Sequence, residues 1–319
     1  MLAGVPLHEI ESYSPRAACP RATMDNAVKI YLDTNMWDAL FDGGVQPEQF
    51  VPRLARANKR LVLGLHAFYE LARTFQSPRP DVIARAKALF EFLNRYLDAN
   101  VLCAKDQSEL LPAEMLMLKE GPERVEFFYP RADYDKIVAE CRRLANGVQS
   151  ELARQFLLDQ QNFAIRATKS IIAQMDANPA LKKQLSKIAP KDVESWLRKE
   201  SASIRGHSNL ARHIQLRFPE VPENEITEYA VGLFSLPMKR HARGLVRADL
   251  YLHWRYARFD AIPKGLTHDV YHILNASYCD AYATADPKQK YAPLLLTSNT
   301  MVSMWSRDVA VDRWIESLP

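Results

Sequence analysis

The fold of this chain is decided by residues 267–286, which read THDVYHILNASYCDAYATAD. Asp269 stands near the start of a run with helical spacing, and Asp286 follows a short apolar run that is typical of a buried strand. A helix, a tight turn and a strand fit between the two acids. We therefore expect both carboxylates to lie at the same end of a parallel sheet, and we expect Thr267 to cap the helix.

The first third of the chain alternates between strand and helix patterns. Val28–Leu32 is a short apolar and β-branched run, and Asp33 follows it where a helical pattern begins. Residues 61–65 form a second strand pattern, which precedes a helix that carries Glu70, and residues 101–103 form a third. This strand–helix alternation predicts a parallel sheet with helices packed on it.

Helical spacing replaces the alternation between residues 105 and 261, where strand patterns are rare. One helix of several turns is predicted across residues 134–156. The alternation resumes at residue 267. We predict an α/β fold with a central parallel sheet and an all-helical insertion. The predicted units are a discontinuous sheet domain at residues 25–104 and 262–319, a helical insertion at 105–261 and an N-terminal arm at 1–24.

Composition and charge are those of an ordinary folded protein. The 319 residues are 48% hydrophobic and 25% charged, which fits one large domain or two smaller ones. Four scattered cysteines contain no CxxC pair, so a cysteine-based zinc site is not expected and a reducing compartment fits. We see no signal peptide and no run of about 18 apolar residues, and we expect a cytoplasmic protein without a membrane span. A net charge of +4 does not by itself establish nucleic-acid binding.

Four acids fall where the carboxyl ends of the predicted strands meet, and we call them the acidic quartet: Asp33, Glu70, Asp269 and Asp286. Ligands of open α/β sheets bind at this edge. Carboxylates within a few ångströms raise one another's pKa, and a hard divalent cation resolves the conflict. We therefore predict a Mg²⁺ or Mn²⁺ site that serves phosphodiester hydrolysis. A single Asp after a strand more often caps a helix, so the full set carries the prediction.

Three short motifs give the chain a family resemblance. They are YLDTN at residues 31–35, AFYELAR around Glu70, and CDAYATAD at residues 279–286. Together with Asp269 they resemble the PIN-domain ribonucleases, and the ending Thr284-Ala285-Asp286 is the most specific part. The resemblance covers residues 25–104 and 262–319. The helical insertion departs from the small PIN toxins, and this departure leaves the substrate and the toxin–antitoxin context open.

The resemblance implies a Rossmann-like three-layer sandwich and a Mg²⁺- or Mn²⁺-dependent endonuclease that cleaves single-stranded RNA. It implies that the acidic quartet is catalytic and that Asp33, Asp269 and Asp286 hold metal. It also implies supporting roles for Asn35 and Thr284. Two alternatives stay open: a non-catalytic RNA- or protein-binding module of the same fold, and a structure-specific DNA nuclease. An RNA substrate is expected, while an inhibitor or antitoxin protein and a homo-oligomer stay open as partners.

A basic stretch precedes the second part of the sheet. Lys239, Arg243 and Arg247 recur at four-residue steps, which places them on one helix face. Three aromatic residues follow closely: Tyr251, Trp254 and Tyr256. Cations that bind phosphates beside aromatic rings that stack on bases are how proteins hold single strands. We predict nucleic-acid binding by the three cations, and the alternative is a solvated face beside core aromatics.

Two further residues near the acids allow two interpretations each. Asp280 shares strand parity with Asp286, so it either faces the site or binds a backbone N–H at the start of the strand. His272 lies one turn after Asp269 on the same helix face, so it either lies beside the site or is a core histidine, and the core interpretation is preferred.

Overall fold

The computed structural model describes residues 26–99, 101–121, 125–148, 151–235, 240–296 and 300–318. The predicted N-terminal arm at residues 1–24 and the predicted nucleic-acid-binding residue Lys239 lie outside these ranges. Within them, the chain forms one five-stranded sheet and fifteen α-helices. The α/β prediction with a central parallel sheet is therefore confirmed.

The sheet consists of short strands that all run in the same direction. The strands are β1 (Val28–Leu32), β2 (Lys59–Gly64), β3 (Leu102–Ala104), β4 (Ala281–Thr284) and β5 (Met301–Met304). They lie in the order β3-β2-β1-β4-β5, and every pairing is parallel. β1 and β4 are neighbours in the middle of the sheet, with Leu32 opposite Ala283. The residues that follow these two strands therefore meet at one edge.

Helices connect the strands. Around the first strands are α1 (Thr34–Asp42), α2 (Pro47–Arg56), α3 (Leu65–Ala72) and α4 (Pro80–Asp98). Between β3 and β4 are α5 (Gln107–Glu120), α6 (Arg131–Ala145), α7 (Glu151–Asp176), α8 (Pro179–Ser186), α9 (Val193–Ser201), α10 (Ile204–Arg217), α11 (Glu223–Ser235), α12 (Arg240–Phe259) and α13 (Leu266–Ile273). The last two are α14 (Ala292–Leu295) and α15 (Val311–Ser317). None of these helices, over the residues described, is long and apolar enough to cross a membrane.

Successive side chains of the central strands enter two different cores. On β1, Ile30 and Leu32 belong to the core that contains residues of α1, α2, α4 and α15. Tyr31, between them, belongs to a second core with Val62 and Tyr282, which also contains residues of α12, α13 and α14. This alternation follows from the two-residue period of a strand. Helices thus cover both faces of the sheet, as in a three-layer α/β sandwich.

Helix α12 is the centre of the second helical layer and is buried along most of its length. Its first turn is capped by the buried carboxylate of Glu114 on α5, which accepts hydrogen bonds from the N–H groups of His241 and Ala242 at 2.7 and 2.8 Å. Tyr278, just before β4, donates its hydroxyl to the same carboxylate. The helical segment predicted as an insertion therefore shares a hydrophobic core with the sheet.

Two predictions about helix ends are wrong. The single helix expected across residues 134–156 is two helices, since α6 ends at Ala145 and Gly147 has a φ of +76°, a conformation that favours glycine and ends helices. Thr267 does not cap α13, because that helix begins one residue earlier, after Gly265 at a φ of 90°. The Thr267 hydroxyl instead lies 2.7 Å from that of Thr168 on α7.

Candidate active site at the carboxyl ends of the strands

Asp33 leaves the end of β1 and is buried, with 2% of its surface exposed. Its Oδ1 accepts a hydrogen bond from the N–H of Thr34 at 2.8 Å, which caps α1, and lies 3.1 Å from Nε2 of His272. Its Oδ2 accepts hydrogen bonds from Thr284 Oγ1 and from Asn35 Nδ2, both at 2.9 Å. A carboxylate has about four acceptor positions, so these four groups use the hydrogen-bonding capacity of Asp33.

The charges of Asp33 and His272 support each other. Burial opposes ionisation of Asp33, but the hydrogen bond and charge of His272 and the hydroxyl of Thr284 lower the pKa of this carboxyl below its ordinary value. Burial also opposes the imidazolium, yet the hydrogen bond and charge of Asp33, followed by the charges of Glu70 and Asp269, raise the pKa of His272. Asp33 is therefore an anion at neutral pH.

Thr284 and Asn35 join the end of β4 to the start of α1. Thr284 is fully buried, and its Oγ1 accepts a hydrogen bond from the N–H of Asp286 at 3.1 Å while it donates to Asp33. The Oδ1 of Asn35 accepts from the N–H of Ala285 at 2.8 Å, and its Nδ2 lies 3.4 Å from Thr284 Oγ1. The two polar residues predicted to support the acids thus contact Asp33 directly.

Glu70 and Asp286 are also held by neighbouring groups. Glu70, half-buried on α3, accepts a hydrogen bond from Thr34 Oγ1 at 2.6 Å through its Oε2. Asp286 caps the short 3₁₀ helix Pro287–Gln289 through a hydrogen bond from the N–H of Lys288 to its Oδ1 at 2.8 Å. Thr34 therefore links Glu70 to the backbone that carries Asp33.

Asp269 is more exposed than Asp33. It lies in the first turn of α13, its side chain is 46% exposed, and its Oδ1 is 3.9 Å from Nδ1 of His268. Burial raises the pKa of the nearby Tyr291, and the charges of Asp269, Asp286 and Asp33 raise it further. Since Glu70 and Asp269 both act on His272, all four predicted acids share one electrostatic neighbourhood at the sheet edge.

Three histidines pack together beside these acids. The ring of His66 on α3 lies 4.3 Å from that of His268 and 4.1 Å from that of His272, measured between centroids. Burial, followed by the charges of His272 and His268, lowers the pKa of His66, so this imidazole is neutral. The interpretation of His272 as a core histidine, preferred from the sequence, did not predict its contact with Asp33. The available signal was its position one turn after Asp269.

Asp280 lies at the opposite end of β4 from Asp286. It is exposed, and its Oδ2 accepts a hydrogen bond from the backbone N–H of Lys29 at 2.8 Å. Its own N–H donates to the carbonyl of Lys29 at the same distance. Of the two interpretations of this residue, the backbone role is the one that the structure supports.

The basic stretch on α12 is less open than the sequence suggests. Tyr251, Trp254 and Tyr256 are all buried, so the expectation that they stack on bases is wrong. Arg247 is half-buried, and its Nη1 donates to the carbonyl of Leu296 at 3.0 Å. Burial and the charges of Arg198 and Arg243 lower the pKa of Arg247, and a nucleic-acid role for Arg243 and Arg247 stays a prediction.

The chain matches no protein-family model, no curated protein and no solved structure. In the described ranges, no group of three or more His, Cys, Asp or Glu side chains is arranged to hold a metal ion. Three acids instead accept hydrogen bonds from the protein, as Asp33 does from four groups, Glu70 from Thr34 and Asp286 from Lys288. Hard divalent cations prefer carboxylate oxygens as ligands, so a Mg²⁺ or Mn²⁺ site in the acidic quartet stays a prediction.

Proposed function

We propose that this protein is a metal-dependent endonuclease that hydrolyses phosphodiester bonds in single-stranded RNA, with the acidic quartet as its catalytic set. The observation that supports this most is the meeting of four acids from β1, α3, α13 and β4 at one sheet edge, around an Asp33 that is kept ionised. Ligand sites of open α/β sheets lie at this edge. The resemblance to the PIN-domain ribonucleases points to the same chemistry.

In this proposal Asp33, Asp269 and Asp286 hold Mg²⁺ or Mn²⁺, and Glu70 completes the site. Such an ion, when bound, activates a water and stabilises the charge on the leaving oxygen of a phosphodiester. The chain's own part is orientation, since Thr284 and Asn35 fix the direction of the Asp33 carboxylate.

The remaining two positions differ in exposure and support. Thr34 fixes the Glu70 carboxylate through its hydroxyl. The side chain of Asp269, which is nearly half exposed, is accessible to an incoming phosphate and its counter-ion. Preorganised groups of this kind need little rearrangement when charge develops in the reaction.

Basic residues outside the acidic quartet would bind the rest of the substrate. Arg243 and Arg247, with Lys239, are the candidates for binding phosphates that are remote from the cleaved bond. Arg243 and Arg247 are half-buried, so they would contribute charge to a shallow surface rather than a row of extended side chains. We place the activity in the cytoplasm, with RNA as substrate and with an inhibitor protein or a second copy of the chain as open partners.

One observation favours a second candidate, a non-catalytic RNA- or protein-binding module with the same fold. The oxygens of Asp33 already accept from four groups, which is how a structural carboxylate is satisfied inside a protein. In that case the acids would organise the sheet edge and would bind no cation.

A cleavage assay separates the candidates. Single-stranded RNA and DNA of the same sequence are incubated with Mg²⁺, with Mn²⁺ or with EDTA, using the wild type, Asp286→Asn and Asp280→Asn. We expect metal-dependent RNA cleavage by the wild type and a loss of at least about 100-fold in Asp286→Asn. Asp280→Asn is the matched control, because this acid lies at the other end of the same strand.

The other outcomes are equally informative. Equal cleavage by the wild type and Asp286→Asn would identify a contaminating nuclease and remove the evidence for catalysis. A wild type that binds RNA without cleaving it under any metal condition would establish the non-catalytic module. Cleavage of DNA in place of RNA would assign the chain to the DNA nucleases.

A further inference from the structure

Phe259, the last residue of α12, is exposed, unlike the aromatic residues that precede it on the same helix. It has 47% of its surface exposed, whereas Tyr251, Trp254 and Tyr256 are buried. The guanidinium carbon of Arg255 lies 4.2 Å from the centre of the Phe259 ring, and the ring of Trp254 meets it edge to face at 5.8 Å between centroids. These contacts hold the ring while nearly half of the residue stays open, so a planar group can stack on it.

A cavity of about 590 Å³ lies beside Phe259, between α8 and the end of α12. Its lining includes two exposed cations, Lys183 on α8 and Arg258 on α12. Nη1 of Arg258 donates to the carbonyl of Ser186 at 2.6 Å, which joins the two helices at the cavity. Ligand sites in proteins have volumes of about 300–1,000 Å³, so this cavity is large enough for a nucleobase.

Positive charge dominates the surface around the cavity. Residues 177–191, which contain α8 and the segment after it, include no acid and four lysines: Lys182, Lys183, Lys187 and Lys191. Nζ of Lys182 forms ion pairs with Asp260 at 2.6 Å and with Asp176 at 3.1 Å. These two acids are therefore paired with Lys182, and the charges of Lys183 and Arg258 remain to attract an anionic ligand.

The loop after Phe259 leads to the acidic quartet. Residues 260–265 connect α12 to α13, whose first turn carries Asp269. Phe259 and Leu266 are seven positions apart, so the chain between them spans at most about 25 Å. Lys264, which is exposed in this loop, adds a further cation. One extended nucleic-acid strand can therefore contact the cavity and the acidic site together.

We propose that Phe259, Lys183 and Arg258 bind one base and a neighbouring phosphate of single-stranded RNA, outside the acidic quartet. The base stacks on the open part of the Phe259 ring, and the two cations bind the phosphate. This inference rests on the proposed function, since it gives the same substrate a second contact. Stacking accepts every base, so the site adds affinity without adding sequence preference. An acidic protein segment would use the same cations but would not need a planar ring.

The test measures RNA binding by the full chain in EDTA, where metal-dependent cleavage does not interfere. Fluorescence anisotropy follows a labelled oligouridylate of about 12 nucleotides, a length within the range of known single-strand sites. The variants are Phe259→Ala, Phe259→Leu and Phe259→Trp. The control is Val309→Ala, which removes an apolar side chain of similar exposure, 46%, outside the cavity. We expect binding at least about 5-fold weaker in Phe259→Ala and Phe259→Leu, and unchanged binding in Phe259→Trp and the control.

Salt dependence separates the stacking contact from the charged one. For single strands, the slope of the logarithm of the binding constant against the logarithm of the salt concentration is about −0.7 for each phosphate neutralised. Lys183→Gln should therefore make this slope shallower by about 0.7. Phe259→Ala should weaken binding at every salt concentration and leave the slope unchanged. Polyglutamate, titrated in place of RNA, should bind more weakly than RNA and should not respond to Phe259→Ala.

Equal binding by the wild type and Phe259→Ala overturns the site and leaves the proposed function standing. Wild-type binding by Phe259→Leu overturns the stacking role, because leucine offers apolar contact without a ring. Polyglutamate that binds more tightly than RNA overturns the site in favour of an acidic protein partner. A wild type that binds no RNA in EDTA also overturns it, while the cleavage assay with metal decides the proposed function separately. RNA binding that depends on Phe259 in a protein that cleaves nothing supports the site and contradicts the proposed function.

Discussion

The two halves of the acidic site differ in how firmly the protein holds them. Asp33, from the first part of the chain, is 2% exposed and contacts four hydrogen-bonding groups. Asp269, from the last part, has a side chain that is 46% exposed and lies 3.9 Å from His268. The difference indicates that Asp33 stabilises the contacts between β1, α13 and β4, whereas the side chain of Asp269 is accessible to a ligand. A mutation of Asp33 should therefore strongly reduce stability, whereas a mutation of Asp269 should reduce activity with little change in stability.

The largest effect on stability is expected from Asp33→Ala. The change leaves the imidazole of His272, the hydroxyl of Thr284 and the amide of Asn35 without their buried acceptor. Removing one member of a buried charged network costs about 3–5 kcal/mol. Urea unfolding in EDTA measures this loss without any contribution from metal. A loss below about 1 kcal/mol would show that Asp33 contributes little to the stability of the fold.

A smaller effect, which depends on pH, is expected from His272→Gln. The pKa of His272 is raised in the folded protein, so its charge stabilises the fold fully below the ordinary pKa of about 6.5, and this contribution is lost as pH rises through the folded pKa. The pKa of Asp33 is lowered, so its contribution is present above about 3.9 and is lost as pH falls through its folded pKa. The pair therefore contributes most between about pH 4 and 6.5.

The measurement compares the free energies of unfolding of the wild type and His272→Gln from pH 5 to pH 9 in EDTA. We expect the wild type to be more stable by about 1.5–3 kcal/mol near pH 5.5, the range for hydrogen bonds to charged groups, and we expect this difference to shrink toward pH 9. Subtracting the two curves removes most of the contribution of the other histidines. A difference that grows with pH would contradict the assigned sign of the shift.

Thr284→Val should have an intermediate effect on stability. Valine keeps the shape of threonine but removes the hydroxyl that donates to Asp33 and accepts from the N–H of Asp286. We expect a loss of about 1–2 kcal/mol, because the N–H of Asp286 loses its acceptor and Oδ2 of the buried Asp33 keeps only the hydrogen bond from Asn35. Thr300→Val is the control, since its buried hydroxyl makes one hydrogen bond, to the carbonyl of Cys279. Equal losses in the two variants would argue against a special role of Thr284.

The smallest effect on stability is expected from Asp269→Asn. The side chain is nearly half exposed, and surface substitutions of this kind usually change the free energy of unfolding by less than about 0.5 kcal/mol. Its effect on RNA cleavage should be large, on the order of 100-fold, if the acid holds the cation. Thermal unfolding and the cleavage assay on the same preparation measure both. An Asp269→Asn variant that loses stability but keeps full activity would show that Asp269 stabilises the fold and is not needed for cleavage.

Much of the sheet could be predicted because its strands carry strong local patterns. The runs before Asp33 and Asp286 are apolar and end in polar residues, and the structure places strands at Val28–Leu32 and Ala281–Thr284. The rule that parallel strands expose their carboxyl ends at one edge predicted that the residues after β1 and β4 lie close together. The contacts of Asn35 and Thr284 with Asp33 agree with the supporting roles that the resemblance implies. The strands themselves could be predicted from the period of each segment.

What could not be predicted depends on contacts between distant segments. The burial of Tyr251 and Trp254 results from the packing of α12 among other helices, and no local pattern distinguishes such a helix from a solvated one. The contact between His272 and Asp33 joins residues 239 positions apart. Spacing places His272 on the face of Asp269, but only the packing of α13 on the sheet determines which group its ring meets.

The pairing of β4 with β1 affects when the sheet and the acidic site can form during synthesis of the chain. During synthesis β1 emerges early, yet its neighbour β4 includes Thr284, whose contact with Asp33 spans 251 positions. Because a chain is synthesised from its amino terminus, Asp33 cannot contact Thr284 until β4 has been synthesised. A nascent chain that stops before residue 266 has Asp33 but neither His272 nor Thr284, so it has no assembled site. Because α13 and β4 are synthesised late, the acidic quartet forms only when nearly all of the described chain has been made.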